Sequence, residues 1–85
     1  MSEAFQAAAD RVKTLKKSPS NEELLELYAL FKQGTAGDVT GARPGAFSFK
    51  DRAKYDAWAT KKGTTQDDAK GKYVALVDGL AKRLA

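Results

Sequence analysis

With 85 residues and 42% hydrophobic content, the chain has material for one modest core and too little for two. It contains neither cysteine nor histidine, which excludes disulfide frames, thiolate metal sites and the most common general base, leaving carboxylates, lysines and hydroxyls for any chemistry. Fifteen basic against eleven acidic residues give a formal charge of +4, a mild tilt towards anionic partners such as phosphates, nucleic acid or acidic lipid surfaces.

The N-terminal "MSEAFQAAAD" has an early acid and no signal-peptide apolar run, and no stretch approaches the roughly 18 apolar residues of a membrane span. The chain is therefore expected to be soluble and unexported. In "EAFQAAADRVKTLKK", Phe5, Ala8, Ala9, Val12 and Leu15 recur at the spacing of an amphipathic helix, with Ser2 available as its cap and "SPS" as its stop. Ser20 followed by Glu23 forms a capping-box pattern. It predicts a second helix from about Asn21 to Gln33, with Gly34 as the C′ residue.

From Gly34 to Lys50, "GTAGDVTGARPGAFSFK" is rich in glycine and has no sustained period, so it reads as a loop of unusual length. It is either a functional loop or a crossover that lets helices two and three lie parallel, and both can hold. A third helix is expected from about Asp51 to "KKG", with Gly63 taking the left-handed cap. Thr64 or Thr65 opens a fourth, whose stripe is Ala69, Tyr73, Leu76, Val77, Leu80 and Leu84. Gly71 and Gly79 interrupt it at about 1 kcal/mol each relative to alanine, so this helix must lean on tertiary packing. Four helices without a strand signal predict an all-α bundle.

Two lysines stand out. At about 100° per residue, Lys32 projects between Tyr28 and Leu25, in the arc that holds Leu24, Leu27 and Phe31. Lys54 projects between Ala57 and Trp58 on its own helix. Each either stretches its stem over apolar surface to reach water or meets an anion at an aromatic wall that includes Tyr28, Phe31 and Tyr73. Lysines and a tyrosine hydroxyl suit phosphate oxygens, an aromatic face suits a flat base, and an apolar stripe suits a hydrocarbon tail; a nucleotide bearing a lipid meets all three. Tyr55 and Trp58 can equally be core. The glycine-rich loop lacks G-x-x-x-x-G-K-[ST] and no strand precedes it, so a nucleotide hydrolase is unsupported. Asp38, Asp51, Asp56, Asp67 and Asp68 read as caps and solvated charges.

The stretches "YALFKQGTAGD", "RPGAFSFKDRAKYDAW" and "KKGTTQDDAKGKYV" resemble the acyl-CoA-binding protein family. Its pattern runs roughly Y-x-x-Y-K-Q-x-T-x-G-D, R-P-G, K-W-D-A-W, K-G-x-[ST] and a late tyrosine. The resemblance spans nearly the whole chain and implies a four-helix bundle of up-down-down-up topology with a long loop between helices 2 and 3, residues 1–85 forming a single acyl-CoA-binding domain. It implies non-enzymatic binding, buffering and intracellular transport of medium- to long-chain fatty acyl-CoA thioesters by a cytoplasmic monomer, with no catalytic residue, metal or cofactor. Transient contact with acyl-CoA-using enzymes or membranes is expected, and nucleic acid is not.

Carried over by position, the resemblance assigns Tyr28, Lys32 and Lys54 to the 3′-phosphate of the ribose. Phe31 takes the place of an adenine-stacking tyrosine, and Tyr73 and Lys13 complete the head-group site. Phe5, Ala9, Val12 and Leu25 match positions near the acyl groove. Two departures are evident: Phe31 lacks the phenolic oxygen, and Tyr55 replaces the first tryptophan of K-W-D-A-W, with less apolar area. A small helical nucleic-acid binder is the competing class, but acids spread through "NEELLE", "DRAKYD" and "TQDDAK" oppose a phosphate backbone. An enzyme lacking both His and Cys is the third and weakest.

Overall fold

A computed structural model describes residues 3–84, in four helices with no strand among them: α1 (Glu3–Val12), α2 (Asn21–Ala36), α3 (Phe49–Ala59) and α4 (Gln66–Leu84). Ser2, the expected cap of the first helix, lies outside the described residues. α1 ends at Val12, short of the predicted "LKK". The Lys13 and Thr14 amides donate to Asp10 O and Arg11 O, and the Thr14 hydroxyl takes Arg11 O as well, so the chain turns. A hydroxyl that bonds the preceding turn offers the backbone an alternative to continued helix. Leu15 still packs on the core.

The capping box of α2 is present in full: the Glu23 amide donates to Ser20 Oγ (3.2 Å) and the Ser20 amide to Glu23 Oε1 (2.9 Å). Its far end corrects the expectation for Gly34, which is buried inside a helix that continues to Ala36. A Cβ there would come within 3.0 Å of Lys70 Cγ and 3.6 Å of Phe5 Cζ, so the glycine serves close approach between elements rather than a left-handed cap. Gly37, at φ 83°, ends α2 with its amide on Gln33 O. α3 begins at Phe49, two residues before Asp51, and stops at Ala59, before "KKG"; Lys61 and Lys62 lie in the following turn, closed by Gly63 at φ 91°. Thr65 caps α4, its Oγ1 accepting from the Asp68 amide at 3.1 Å.

Side-chain pairings give the topology. Phe5 meets Tyr73 and Arg11 meets Asp78, so α1 and α4 run parallel. Glu23 pairs with Arg83 and Gln33 reaches Thr64, so α2 opposes α4. Lys54 sits over Tyr28 and Lys32 over Trp58, so α3 runs parallel to α2. The order is up-down-down-up, and the parallel pair needs the long crossover 37–48. α4 packs between α1 and α2, while α3 packs on α2. The core of Phe5, Ala8, Ala9, Leu27, Leu30, Tyr73, Val77 and Leu80 belongs to α1, α2 and α4; α3 has no buried residue.

Hydrogen bonds hold α3 and the crossover where burial does not. Trp58 Nε1 donates to Gly37 O (2.8 Å), the Tyr55 hydroxyl to Gly41 O (2.9 Å), and the Arg43 guanidinium forks onto Asp56 (2.8 and 2.7 Å). At the end of α2, buried Gln33 donates through Nε2 to Asp38 Oδ1 (2.8 Å) and Thr64 O (2.7 Å), and the Gly63 amide also donates to Asp38 Oδ1 (2.9 Å). One side chain from α2 and one from the crossover thereby lock the turn into α4. Tyr55, where the family pattern has tryptophan, gives up apolar area and contributes a hydroxyl that pins the crossover.

Candidate functional site

The helical spacing of α2 puts residues 21, 24, 25, 28 and 32 on the face that α3 covers, and α3 answers with Lys50, Ala53, Lys54 and Trp58, one turn apart. Where α3, with no buried residue, meets α2, two depressions lie side by side. The first is a groove of about 440 Å³ with Leu24, Leu25 and Ala53 as walls and Tyr28, Lys50 and Lys54 around it. The second is a hollow of about 270 Å³ lined by Tyr28, Pro44, Asp51, Lys54, Tyr55 and Trp58. Tyr28 and Lys54 belong to both.

The lysines that the helical wheels single out stand over aromatic rings. Lys32 Nζ lies 5.0 Å from the centre of the Trp58 ring and Lys54 Nζ 5.4 Å from that of Tyr28. Neither takes part in the ion pairs formed among the described residues: Arg11–Asp78, Arg43–Asp56, Lys61–Glu26 and Arg83–Glu23. Two ammoniums without a carboxylate partner, held against ring faces beside an apolar groove, form a positive site with directional donors. Of the nearby acids, Asp51 lines the hollow, while Arg43, hydrogen-bonded to it, holds the Asp56 carboxyl below its ordinary pKa, and the Gly63 amide and Gln33 do the same for Asp38.

A second aromatic group forms on the other flank of α2. Phe31, 36% exposed, stacks on fully buried Phe5 at 5.4 Å and 23°. Tyr73 meets Phe5 edge-on at 5.1 Å and Phe31 at 5.9 Å. Burial pushes the Tyr73 hydroxyl above its ordinary pKa, and Lys70 Nζ stands 5.9 Å over the Phe5 ring.

Of the residues named from the sequence, the structure thus brings Tyr28, Lys32 and Lys54 together between α2 and α3, and groups Phe31 with Tyr73 across α2. Lys13 is exposed in the turn after α1 and joins neither group. Leu25 lines the groove, whereas Phe5 and Ala9 are buried in the core and Val12 packs against it. Leu24, Lys50, Ala53, Pro44 and Lys70 went unnamed as site residues. Leu24 and Ala53 carried a signal, being one turn from Tyr28 and Ala57 on the facing stripes; Pro44 comes from the crossover, whose path has no period to read.

The family model described as Acyl CoA binding protein matches residues 2–77. Acyl-CoA-binding protein homolog 1 of Caenorhabditis elegans is 60% identical over 80 residues, 94% of this chain and 93% of that protein. The acyl-CoA-binding protein of Saccharomyces cerevisiae is 50% identical over 80 residues, 94% of this chain and 92% of that protein. Among solved structures, the crystal structure of Oryza sativa acyl-CoA-binding protein 2 superposes with a TM-score of 0.91 at 43% identity, covering 95% of this chain and 90% of that one. By sequence and by fold, the chain belongs to the acyl-CoA-binding protein family.

Proposed function

We propose that this protein binds medium- to long-chain fatty acyl-CoA thioesters, buffering and carrying them as a cytoplasmic monomer whose residues 1–85 act as one binding domain, without catalysing a reaction. The observation that carries the reading is the shared wall: Tyr28 and Lys54 border both an apolar groove and an aromatic hollow. Such a pair of cavities suits a molecule with a hydrocarbon tail at one end and phosphates at the other.

In this reading Lys32 and Lys54 supply charge-assisted hydrogen bonds to phosphate, each worth about 1.5 to 3 kcal/mol, with the Tyr28 hydroxyl beside them. Phe31 offers a partly exposed ring to the base, and Tyr73 and Lys13 complete the head-group side. Leu24, Leu25 and Ala53 remove the tail from water, at up to about 0.8 kcal/mol per buried methylene. Phe5, Ala9 and Val12 act from beneath, as the core on which the binding face rests.

Titration calorimetry with palmitoyl-CoA, free CoA and free palmitate tests this. Tight binding of the first and much weaker binding of the other two is the expected result; equal binding of CoA and palmitoyl-CoA removes the tail from the reading. Across octanoyl, dodecanoyl, palmitoyl and longer thioesters, affinity climbs by roughly tenfold per two carbons until the groove is full, then flattens.

A further inference from the structure

Lys70 stands beside the Phe5, Phe31 and Tyr73 rings, yet the family pattern passes from K-G-x-[ST] to the late tyrosine without naming its position. Lys70 and Gly34 meet where α2 ends and α4 begins. A Cβ on Gly34 would lie 3.0 Å from Lys70 Cγ and 3.6 Å from both Lys70 N and Phe5 Cζ, so the lysine stem rests on a surface that any larger residue would crowd. Gln66 Nε2, one turn earlier on α4, donates to Gly34 O at 3.4 Å, and Gln33 Nε2 donates to Thr64 O at 2.7 Å. These bonds fix the start of α4 against the end of α2, and with it the point from which Lys70 reaches out. Its Nζ stands 5.9 Å over the Phe5 ring, which stacks on partly exposed Phe31. Lys70 enters none of the ion pairs formed among the described residues, and Asp67, one turn before it on α4, does not engage it.

We propose that Lys70 is a second phosphate-recognition residue, meeting the 5′-diphosphate of a nucleotide whose base lies on Phe31 and whose 3′-phosphate is held by Lys32 and Lys54. This assignment rests on the acyl-CoA reading above and deepens it. Phe31 and Lys32 are consecutive on α2 and point about 100° apart: Lys32 turns to Trp58 on α3, Phe31 to Phe5 on α1 and Tyr73 on α4. A base on the exposed Phe31 ring therefore has one ammonium on its α3 side and another, from Lys70, on its α4 side. A ribose esterified at both 3′ and 5′ positions presents an anion to each. Lys13, the other cation assigned to the head-group side, is exposed in the turn after α1 and joins neither aromatic group. Lys70 is already seated against the rings. A stem held by packing loses less freedom on meeting an anion than one moving in water, and a charge at the edge of apolar surface is less screened.

Calorimetry with palmitoyl-CoA and with its 3′-dephospho form separates the two phosphate sites. Lys70→Met keeps an unbranched stem against Gly34 and removes the charge, so the helical circular dichroism signal should be retained. It should weaken both ligands by about tenfold or more, and by the same factor, because both carry the diphosphate. Lys54→Ala, in contrast, should weaken palmitoyl-CoA far more than the 3′-dephospho ligand. Lys70→Arg restores a cation at the same place and should bind nearly as the parent does. Parent-like binding by Lys70→Met overturns the proposal. So does a loss confined to palmitoyl-CoA, which would move Lys70 to the 3′-phosphate, or a loss that Lys70→Arg shares in full, which would make the residue a matter of packing. If the parent protein binds neither ligand, the acyl-CoA reading falls and this assignment with it; a parent that binds both beside an indifferent Lys70→Met removes this assignment alone.

Discussion

The two sides of α2 are built on different physics. Towards α1 and α4 it presents Leu27, Leu30 and buried Gly34 to a dry core of Phe5, Val77 and Leu80. Towards α3 it presents Tyr28 and Lys32 to a helix with no buried residue, held by cation–ring contacts and by hydrogen bonds to the crossover. Dispersion and hydrophobic burial carry the first side; directional polar contacts carry the second, where unfilled volume persists. In the proposed reading the buried face of α2 supplies most of the stability and the α3 face the phosphate-binding lysines, with Phe31 and Tyr73, both packed on Phe5, joining the two.

The largest expected effect is on the core side. Phe5→Ala removes a fully buried ring that supports Phe31 and Tyr73, and should cost about 3 to 5 kcal/mol of folding stability. At about 4 to 8 °C per kcal/mol, the fall in Tm should be obvious in a thermal melt. A small loss would show that the two sides share the burden of stability.

Lys32→Ala and Lys54→Ala probe the other side. Each should weaken acyl-CoA binding by about 1.5 to 3 kcal/mol, roughly ten- to a hundredfold. Folding should change by no more than about 1 kcal/mol, the worth of an exposed cation–ring contact. Calorimetry beside a denaturant melt reads both; unaltered binding, or equal binding of a 3′-dephospho ligand, would detach these lysines from the phosphate.

Tyr55→Phe sharpens the contrast within the α3 side, because it deletes only the hydroxyl that donates to Gly41 O. The expected loss is about 0.5 to 1.5 kcal/mol in folding, accompanied by faster amide exchange in residues 39–46. An unchanged exchange rate there would mean that Arg43–Asp56 suffices to hold the crossover.

The smallest effect is in acid. The Gly63 amide and the Gln33 amide hold the Asp38 carboxyl below its ordinary 3.8 in the folded state, so unfolded chains bind its proton first as pH falls. Its contribution to stability is therefore full above that value and is lost as pH descends through the folded pKa. Denaturant midpoints measured from neutral pH down to the acid limb should fall less steeply in Asp38→Asn; identical slopes would show that other carboxylates govern the acid limb.

The local signals for these elements were strong where short-range chemistry decides. Ser20 with Glu23 and the apolar stripe of α4 each lie within one helix and needed no neighbours to be read, whereas the choice between Thr64 and Thr65 as the cap of α4 came from the Asp68 amide bond. Gly34 shows the opposite. Its intrinsic preference points to a helix end, but the approach of Lys70 and Phe5 rewards a missing Cβ within a continuing helix, and both partners are distant in sequence. The early end of α1 and the early start of α3 belong with it, since helix ends are set by competing hydrogen bonds worth about as much as one more turn.

The site divides in the same way. The sequence by itself determined that Lys32 and Lys54 stand on faces with aromatic neighbours, because a helical wheel depends on nothing beyond the backbone repeat. It also determined the bundle class and, through motif resemblance, the family. Only the tertiary structure decided that Trp58 lies under Lys32 and Tyr28 under Lys54, that Phe5 and Ala9 are core while Leu24 and Ala53 face the groove, and that Lys13 stands apart. The lysine–ring pairings and the groove walls depend on the register between parallel α2 and α3, which is held by the crossover's bonds from Tyr55 and Trp58 to backbone carbonyls, and carbonyls leave no mark in the identity of the residues that bear them.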